Sequence, residues 1–376
     1  MAEKRASSSR GRAMVGDVCD ALDAIAPPHL AAEWDNVGLL IGDRARPARR
    51  LLLTIDLTGP VLREAARAGA DMVLAYHPPI FKPLSRLTAD AAPVALAAAR
   101  AGLAVYSPHT ALDAAAGGTN DVLAEAVGIR RPRPLEPVIR RDRCKVAVFA
   151  SPADVPAVAA AAFAAGAGRI GNYGECSFRA AGVGTFRGDE GSSPAVGRAG
   201  RREQVEEFRL EVVAPRDNLA AVLAAVRAAH SYETPAIDVY PLEDVPPGVG
   251  MGRIGELARA VTVGSLVARV KRALGLERVL LAGPTRGKVK LAACCAGSCG
   301  ELFRSAAGAG AGAYVTGEMR HHDSLAAAAA GMTCICVGHS NSERLVLPGL
   351  RDRIRHAVAG LDVRISRADR DPQQVV

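Results

Sequence analysis

The stretch Asp71-Met72-Val73-Leu74-Ala75-Tyr76-His77-Pro78-Pro79-Ile80-Phe81 decides the fold. Met72, Val73 and Leu74 form a continuous apolar run of strand length, behind a Gly69 that stops a helix. Pro78 and Pro79 cannot extend a central strand, and Pro78 biases His77 toward an extended backbone. His77 is therefore expected at the carboxyl end of a parallel strand, where open α/β sheets build their sites. Taken alone, it reads as readily as a core histidine or part of a rigid turn as it does as a ligand.

Working outward, residues 51–55 read as a strand, followed by a helix that Thr58 can cap and Gly69 can end. Residues 51–76 thus form a βαβ unit with a parallel strand pair. A helix over 93–101 leads through Gly102 to a strand over 103–106, which runs into Ser107-Pro108-His109-Thr110-Ala111-Leu112-Asp113. Gly117-Gly118 opens a helix over 120–127. Upstream, an amphipathic helix over 17–26 is closed by Pro27 and Pro28. Glu33-Trp34-Asp35-Asn36-Val37-Gly38 then turns into a strand over 39–41. Trp34 is expected to pack, and Asp35 and Asn36 to shape the turn. Downstream, the Pro- and Arg-rich residues 130–143 read as a linker. Two strand–helix pairs, 144–165 and 208–229, and a strand over 237–240 suggest a compact ferredoxin-like α+β module ended by Pro246-Pro247-Gly248. The first kind of pattern resumes at Val289.

It resumes as a repeat. Residues 96–103 are echoed by 325–332, each a helix, a glycine stop and the start of a strand. His109 follows the first strand and His339 the second. Four residues after each comes a carboxylate, Asp113 and Glu343. Residues 65–77 parallel 306–318, so Glu318 falls where His77 falls. Two such halves around a pseudo-twofold axis would face one cleft with their strand ends. Imidazoles and carboxylates without thiolates suit zinc, iron, manganese or cobalt. A pair of ions ~3.5–4 Å apart, bridged by a carboxylate, would need about this many ligands. One His-x-x-x-acid pair alone would read as a loop ion pair; two, with His77, favour metal. His321 and His322 begin a helix just after Glu318, and His322 is placed behind the ligands. The Gly297-Ser298-Cys299-Gly300 loop opens a helix and could cradle phosphate, though without the lysine of a P-loop.

The chain of 376 residues is long enough for two or three domains, and its net charge of +8 sits largely in the first dozen residues and the loop over 187–202. No basic helix with interleaved aromatics marks a nucleic-acid surface. Residues 1–12 lack the apolar core of a secretory signal and read as a disordered tail. No uninterrupted apolar run reaches membrane-spanning length. Of the eight cysteines, Cys294, Cys295, Cys299, Cys334 and Cys336 lie on or beside apolar strand-like runs, as buried thiols do in cytosolic proteins, and the expected location is cytoplasmic.

Three further marks complete a pattern: Glu33-Trp34-Asp35-Asn36-Val37-Gly38-Leu39, Thr316-Gly317-Glu318-Met319-Arg320-His321-His322 and Gly338-His339-Ser340-Asn341-Ser342-Glu343. With Tyr76-His77-Pro78-Pro79-Ile80-Phe81, His109-Thr110-Ala111-Leu112-Asp113 and the 297–300 loop, the chain resembles the dinuclear metal-centre proteins known as GTP cyclohydrolase type-2 homologues, or NGG-interacting-factor-like proteins. The resemblance implies an α/β fold of two similar halves, 14–140 and 250–365. A CutA/PII-like α+β domain would be inserted at 141–249, between tails at 1–13 and 366–376. It implies divalent metal ions, two per subunit, held by His77, Asp113, His339 and Glu343, and a toroidal homo-hexamer with the sites facing inward. Many members carry a second histidine where this chain has Tyr76, so Tyr76 stands beside the ligands and His109 is the candidate to complete the second ion's shell. The function expected is metal-dependent hydrolysis of a small-molecule substrate such as a nucleotide or phosphoester, with Glu318 or an unligated imidazole moving the proton. The competing reading is a non-catalytic metal-binding regulator or metal-handling protein.

Overall fold

The computed structural model describes residues 13–373, so the rest of the two expected tails, 1–12 and 374–376, lies outside the described residues. From the amino end come α1 (Val15–Ile25), β1 (Gly38–Ile41), β2 (Arg50–Thr54), α2 (Gly59–Ala68) and β3 (Met72–Ala75). They are followed by α3 (Pro93–Arg100), β4 (Ala104–Ser107), α4 (His109–Ala114), α5 (Thr119–Val127) and β5 (Ile129–Pro137). A middle stretch holds β6 (Arg140–Ala150), α6 (Val155–Ala164), β7 (Ser177–Arg187), β8 (Arg202–Pro215), α7 (Leu219–Ala229) and β9 (Ile237–Asp244). The chain then runs through β10 (Gly250–Thr262), α8 (Val263–Leu274), β11 (Leu280–Ala282), β12 (Lys288–Cys295) and α9 (Phe303–Gly308). It ends with β13 (Ala313–Thr316), α10 (His321–Ala329), β14 (Thr333–Cys336), α11 (His339–Arg344), α12 (Val346–Ala357) and β15 (Asp362–Ile365).

Contacts divide the chain into two units, one formed by residues up to 138 together with 247 onward, the other by 139–246. In the first, the strands make a five-stranded sheet, β1-β4-β3-β2-β15, and a six-stranded sheet, β11-β14-β13-β12-β10-β5. Each contains three adjacent parallel strands, β2-β3-β4 and β12-β13-β14, with an antiparallel strand beyond the third. The repeat seen in the sequence is thus a repeat of βαβαβ units.

Period-two burial explains the layers. Leu51, Leu53, Met72, Leu74, Tyr76 and Tyr106 face one way, against α1, α4 and α12. Leu52, Val73, Ala75 and Val105 face the other, against α2 and α3. In the second sheet Ala292, Cys294, Val315 and Ile335 meet α5 and α8, while Ala293, Cys295, Tyr314 and Cys334 meet α9 and α10. The halves are therefore interleaved: α12 and β15 complete the first sheet, and α5 and β5 complete the second. Gly69 takes the left-handed conformation (φ 63°) that ends α2 and starts the turn into β3.

Two stretches differ from expectation. Residues 129–137 are a strand, because β5 is the outer strand of its sheet and pairs only with β10. There the missing N–H groups of Pro132, Pro134 and Pro137 cost no ladder on the far side. Residues from 366 on, expected as a tail, are held: the Glu64 carboxylate accepts from the Ser366 hydroxyl and the Arg367 and Ala368 amides. Asp369 accepts from the Ile55 amide and pairs with Arg344.

The second unit is a four-stranded antiparallel sheet, β7-β8-β6-β9, in βαββαβ order. Its helices α6 and α7 pack on one face through Val158, Ala162, Val222 and Val226. The strands β7 and β8 form a hairpin longer than the sequence suggests, flanking the Gly- and Ser-rich loop. Among the described residues, no helix is long and apolar enough to cross a membrane.

Candidate metal centre

The carboxyl ends of the parallel strands in both sheets converge. Asp56, His77 and His109 follow β2, β3 and β4; Gly297, Glu318 and His339 follow β12, β13 and β14. His77, His339 and Glu343 form a group whose donor atoms could hold a metal ion. The two oxygens of Glu343 are divided between two imidazoles: His77 Nε2 lies 3.2 Å from Oε2 and His339 Nε2 lies 3.2 Å from Oε1.

Each imidazole is turned inward by a carboxylate on its far nitrogen. His77 Nδ1 bonds Asp56 at 2.9 Å, and His339 Nδ1 bonds Glu318 at 3.0 Å. With Nδ1 carrying the hydrogen, each Nε2 presents a lone pair. A lone pair facing a carboxylate oxygen is repulsive unless a cation lies between them. Among the described residues, His77 Nε2 and Glu343 Oε2 are buried side-chain atoms without a hydrogen-bond partner. Such orphaned atoms in native structures call for an ion or water. Gly297 adds clearance: at φ 73°, a Cβ there would lie 2.8 Å from Glu343 Oε1. The donor set therefore fits a divalent cation.

Without a metal, protons would take its place. Burial works against charging His77, yet its bond to Asp56 and the facing Glu343 carboxylate raise its pKa to about 10. The Glu343 contact outweighs burial at His339 and raises it to about 9. Burial disfavours the Glu343 anion, but the two imidazoles still hold its pKa below the usual carboxylate range.

Asp113 sits apart from this group. It is buried, and the Tyr76 hydroxyl donates to it. Burial, and next the Glu343 charge, lift its pKa to about 6. Burial also pushes the Tyr76 phenol well above its ordinary value, helped by Asp113. His109 neighbours His77, with ring centroids 5.3 Å apart, but its Nδ1 bonds Asp35 at 2.7 Å. His322 is exposed, its ring 5.5 Å from that of His321, and makes no hydrogen bond to the triad. Glu318, assigned to proton transfer from the sequence, is engaged in orienting His339.

Three roles were missed or misjudged. Asp56 was overlooked, although the strand-end position that singled out His77 applies to it equally. Asp35 does more than shape a turn: it accepts from the Thr110 amide and hydroxyl as well as binding His109. Burial opposes its ionisation, but these bonds hold its pKa below normal. Trp34 does not pack inside; the residue is 63% exposed, beside an exposed Phe81 with ring centroids 5.8 Å apart.

The profile of the Duf34/NIF3 (NGG1p interacting factor 3) family matches residues 13–372. The chain belongs to this family. A Mycobacterium tuberculosis protein named GTP cyclohydrolase 1 type 2 homolog is 37% identical over 365 residues, covering 95% of this chain and 96% of its own. The crystal structure of a Bacillus cereus protein related to NIF3 matches with 33% identity and a TM-score of 0.69, covering 98% of this chain and all of the other. A Staphylococcus aureus crystal structure matches with 26% identity and a TM-score of 0.81, covering 97% and 99%. The similarity thus extends over both interleaved halves and the stretch between them.

Proposed function

We propose that the chain is a divalent-metal-dependent hydrolase acting on a nucleotide or another phosphoester. The observation that carries this reading is the pair of buried, unpartnered atoms, His77 Nε2 and Glu343 Oε2, with His339 on the carboxylate's other oxygen. A bound metal would supply Lewis acidity, lowering the pKa of water and polarising a phosphoryl or carbonyl oxygen. The chain's own residues do the rest. Asp56 and Glu318 fix both imidazoles in the tautomer that points a lone pair inward. His109 is the imidazole beside the triad that stays outside it. Asp35 anchors its Nδ1, and that leaves Nε2 to hold or move a proton.

The shape of the rim favours a substrate with a flat ring. Trp34 and Phe81 expose apolar faces, and Trp34 meets His109 edge-on with centroids 6.1 Å apart. Asn36 Nδ2 donates to the Ile80 carbonyl at 2.5 Å, tying the Trp34 loop to the Phe81 loop. A pinned, solvent-facing indole is a ready stacking platform for a base. The name carried by the relatives makes GTP the first nucleotide to test.

The test is turnover of GTP, other nucleotides and simple phosphoesters by protein stripped and reloaded with zinc, manganese, iron or cobalt. Glu343→Gln should abolish turnover and lower metal content, and Trp34→Ala should raise KM for nucleotides while sparing small phosphoesters. Metal bound without turnover of any of these would sink the hydrolase reading and favour a regulatory or metal-handling protein. In that case the βαββαβ insert, taken as a CutA/PII-like sensing module, becomes the place to look for the signal. The toroidal homo-hexamer belongs to the same proposal, and light scattering reads it directly.

A further inference from the structure

We infer that this chain holds one divalent ion, at His77, His339 and Glu343, because the Tyr76 hydroxyl stands where a second ion would meet Asp113. The inference rests on the metal reading of the triad and concerns how many ions the chain binds. It departs from the two implied by the resemblance.

Asp113 is a buried carboxylate, 6% exposed, and a buried anion needs a positive partner or hydrogen-bond donors. Tyr76 supplies one: its hydroxyl donates to Asp113 Oδ1, and the Tyr76 hydroxyl oxygen also lies 3.1 Å from Thr119 Oγ1. An imidazole at position 76 would offer a lone pair to an ion; the phenol instead aims a hydrogen at the carboxylate. That hydrogen provides the positive end which the cation would otherwise provide.

The phenol is also fixed in place. The Tyr76 amide bonds the Thr54 carbonyl at 2.9 Å, and the Tyr76 carbonyl accepts from Ser107 Oγ at 2.7 Å. Its side chain is fully buried in the core against α1, α4 and α12. Asp113 is held from behind by Asn120, whose Nδ2 donates to its carbonyl at 3.0 Å. Turning the Tyr76 ring away to admit an ion would break its bond to Asp113 and its packing in the core. The remaining candidate ligand, His109, is held through Nδ1 by Asp35. Among the described residues, the metal-competent group comprises His77, His339 and Glu343, and neither Asp113 nor His109 joins it.

The experiment counts zinc. Protein saturated with zinc and freed of excess by gel filtration is analysed for metal per chain, with calorimetric titration as the second readout. The wild type is expected to hold one zinc, Asp113→Asn to keep one, and His339→Ala to lose it. Tyr76→His should raise the count to two, and adding Asp113→Asn to that variant should return it to one. Two zinc ions in the wild type would overturn the inference. So would loss of the single ion in Asp113→Asn, or a folded Tyr76→His protein that stays at one. If Tyr76→His does not fold, the wild-type count and the Asp113→Asn arm decide alone. A wild type that binds one zinc yet turns nothing over leaves this inference intact and removes the hydrolase reading. A wild type that binds none removes both.

Discussion

Asp56→Asn separates what holds the metal from what holds the proton. The substitution keeps the size of the side chain and removes its charge. The bond to His77 Nδ1 is 2.9 Å long, and the Asp56 side chain is 36% exposed. Partial access to water places the bond at the low end for a charge-assisted one, about 1.5 kcal/mol, or roughly tenfold in affinity for whatever cation sits on Nε2. A proton and a metal compete for that position. The imidazoles of metal-free protein titrate at about 10 for His77 and about 9 for His339, so both are protonated at pH 8. Loading zinc at that pH should therefore release about two protons. Asp56→Asn weakens the proton's hold on His77 along with the metal's. Apparent zinc affinity at pH 8 should fall by less than about tenfold. Proton release should drop from about two toward one. Calorimetry in two buffers of different ionisation enthalpy gives the proton count, and competition with a chromophoric chelator gives the affinity. A variant with unchanged proton release and unchanged affinity would refute the reasoning, since Asp56 would then neither charge nor orient His77. Glu318→Gln is the matched comparison, and its smaller effect is expected from the more exposed Glu318–His339 pair.

The same pKa shifts set the pH response of metal-free protein. His77 and His339 are raised above the unfolded value of 6.5, so their contribution to stability is complete below that pH and lost as pH rises through about 9 to 10. The melting temperature of chelator-treated protein should fall across this window, and that of zinc-loaded protein should fall less. Arg253, 1% exposed, pairs with Asp121 and donates to the carbonyls of Ala115, Gly248, Gly250 and Gly252. Arg253→Met should cost about 3–5 kcal/mol by leaving Asp121 without its cation and four carbonyls without their donor, and Arg253→Lys should rescue little because one ammonium cannot replace the guanidinium's fork. Denaturant melts of the larger unit would read both.

The candidate triad is legible in the sequence because its logic is local. His77 and His339 lie two and three residues beyond parallel strands, and Glu343 lies one helical turn beyond His339. The repeat made His339 and Glu343 visible through His109 and Asp113. It also proposes for Asp113 the role of its counterpart Glu343. What separates them is a single neighbour: Tyr76 donates to Asp113, whereas Glu343 faces two imidazoles. Such a difference is a matter of packing across strands, which spacing along the chain does not encode. Asp35 was misjudged for a similar reason, since its partners His109 and Thr110 lie about 75 positions away. Trp34 was expected inside because a lone tryptophan carries much apolar area; its exposure beside Phe81 is the kind of exception that marks a surface built to meet something.

The interleaving of the halves is harder to see in the sequence, and prolines help explain it. An alanine-rich helix and a following strand show the same pattern whether they pack on their own sheet or on the other. The slot beside β2 is parallel and is filled by β15, a proline-free strand that follows α12. β5 carries three prolines within Ile129–Pro137, so it suits an edge, and the available edge lies beside β10. β5 and β10 are antiparallel, with Pro137 opposite Gly250, and the Val138 amide bonds the Val249 carbonyl at 3.1 Å. The second unit, 139–246, is therefore inserted where a hairpin turn would be, between two backbones already held together. The ends that the insert must join are already adjacent, so its length adds only a slowly growing closure entropy to the core. The Pro-rich stretch read as a linker is thus, over Ile129–Pro137, an edge strand. Its prolines do not loosen the chain; they keep β5 at the edge, where one side pairs with β10 and the turn beyond can admit a domain.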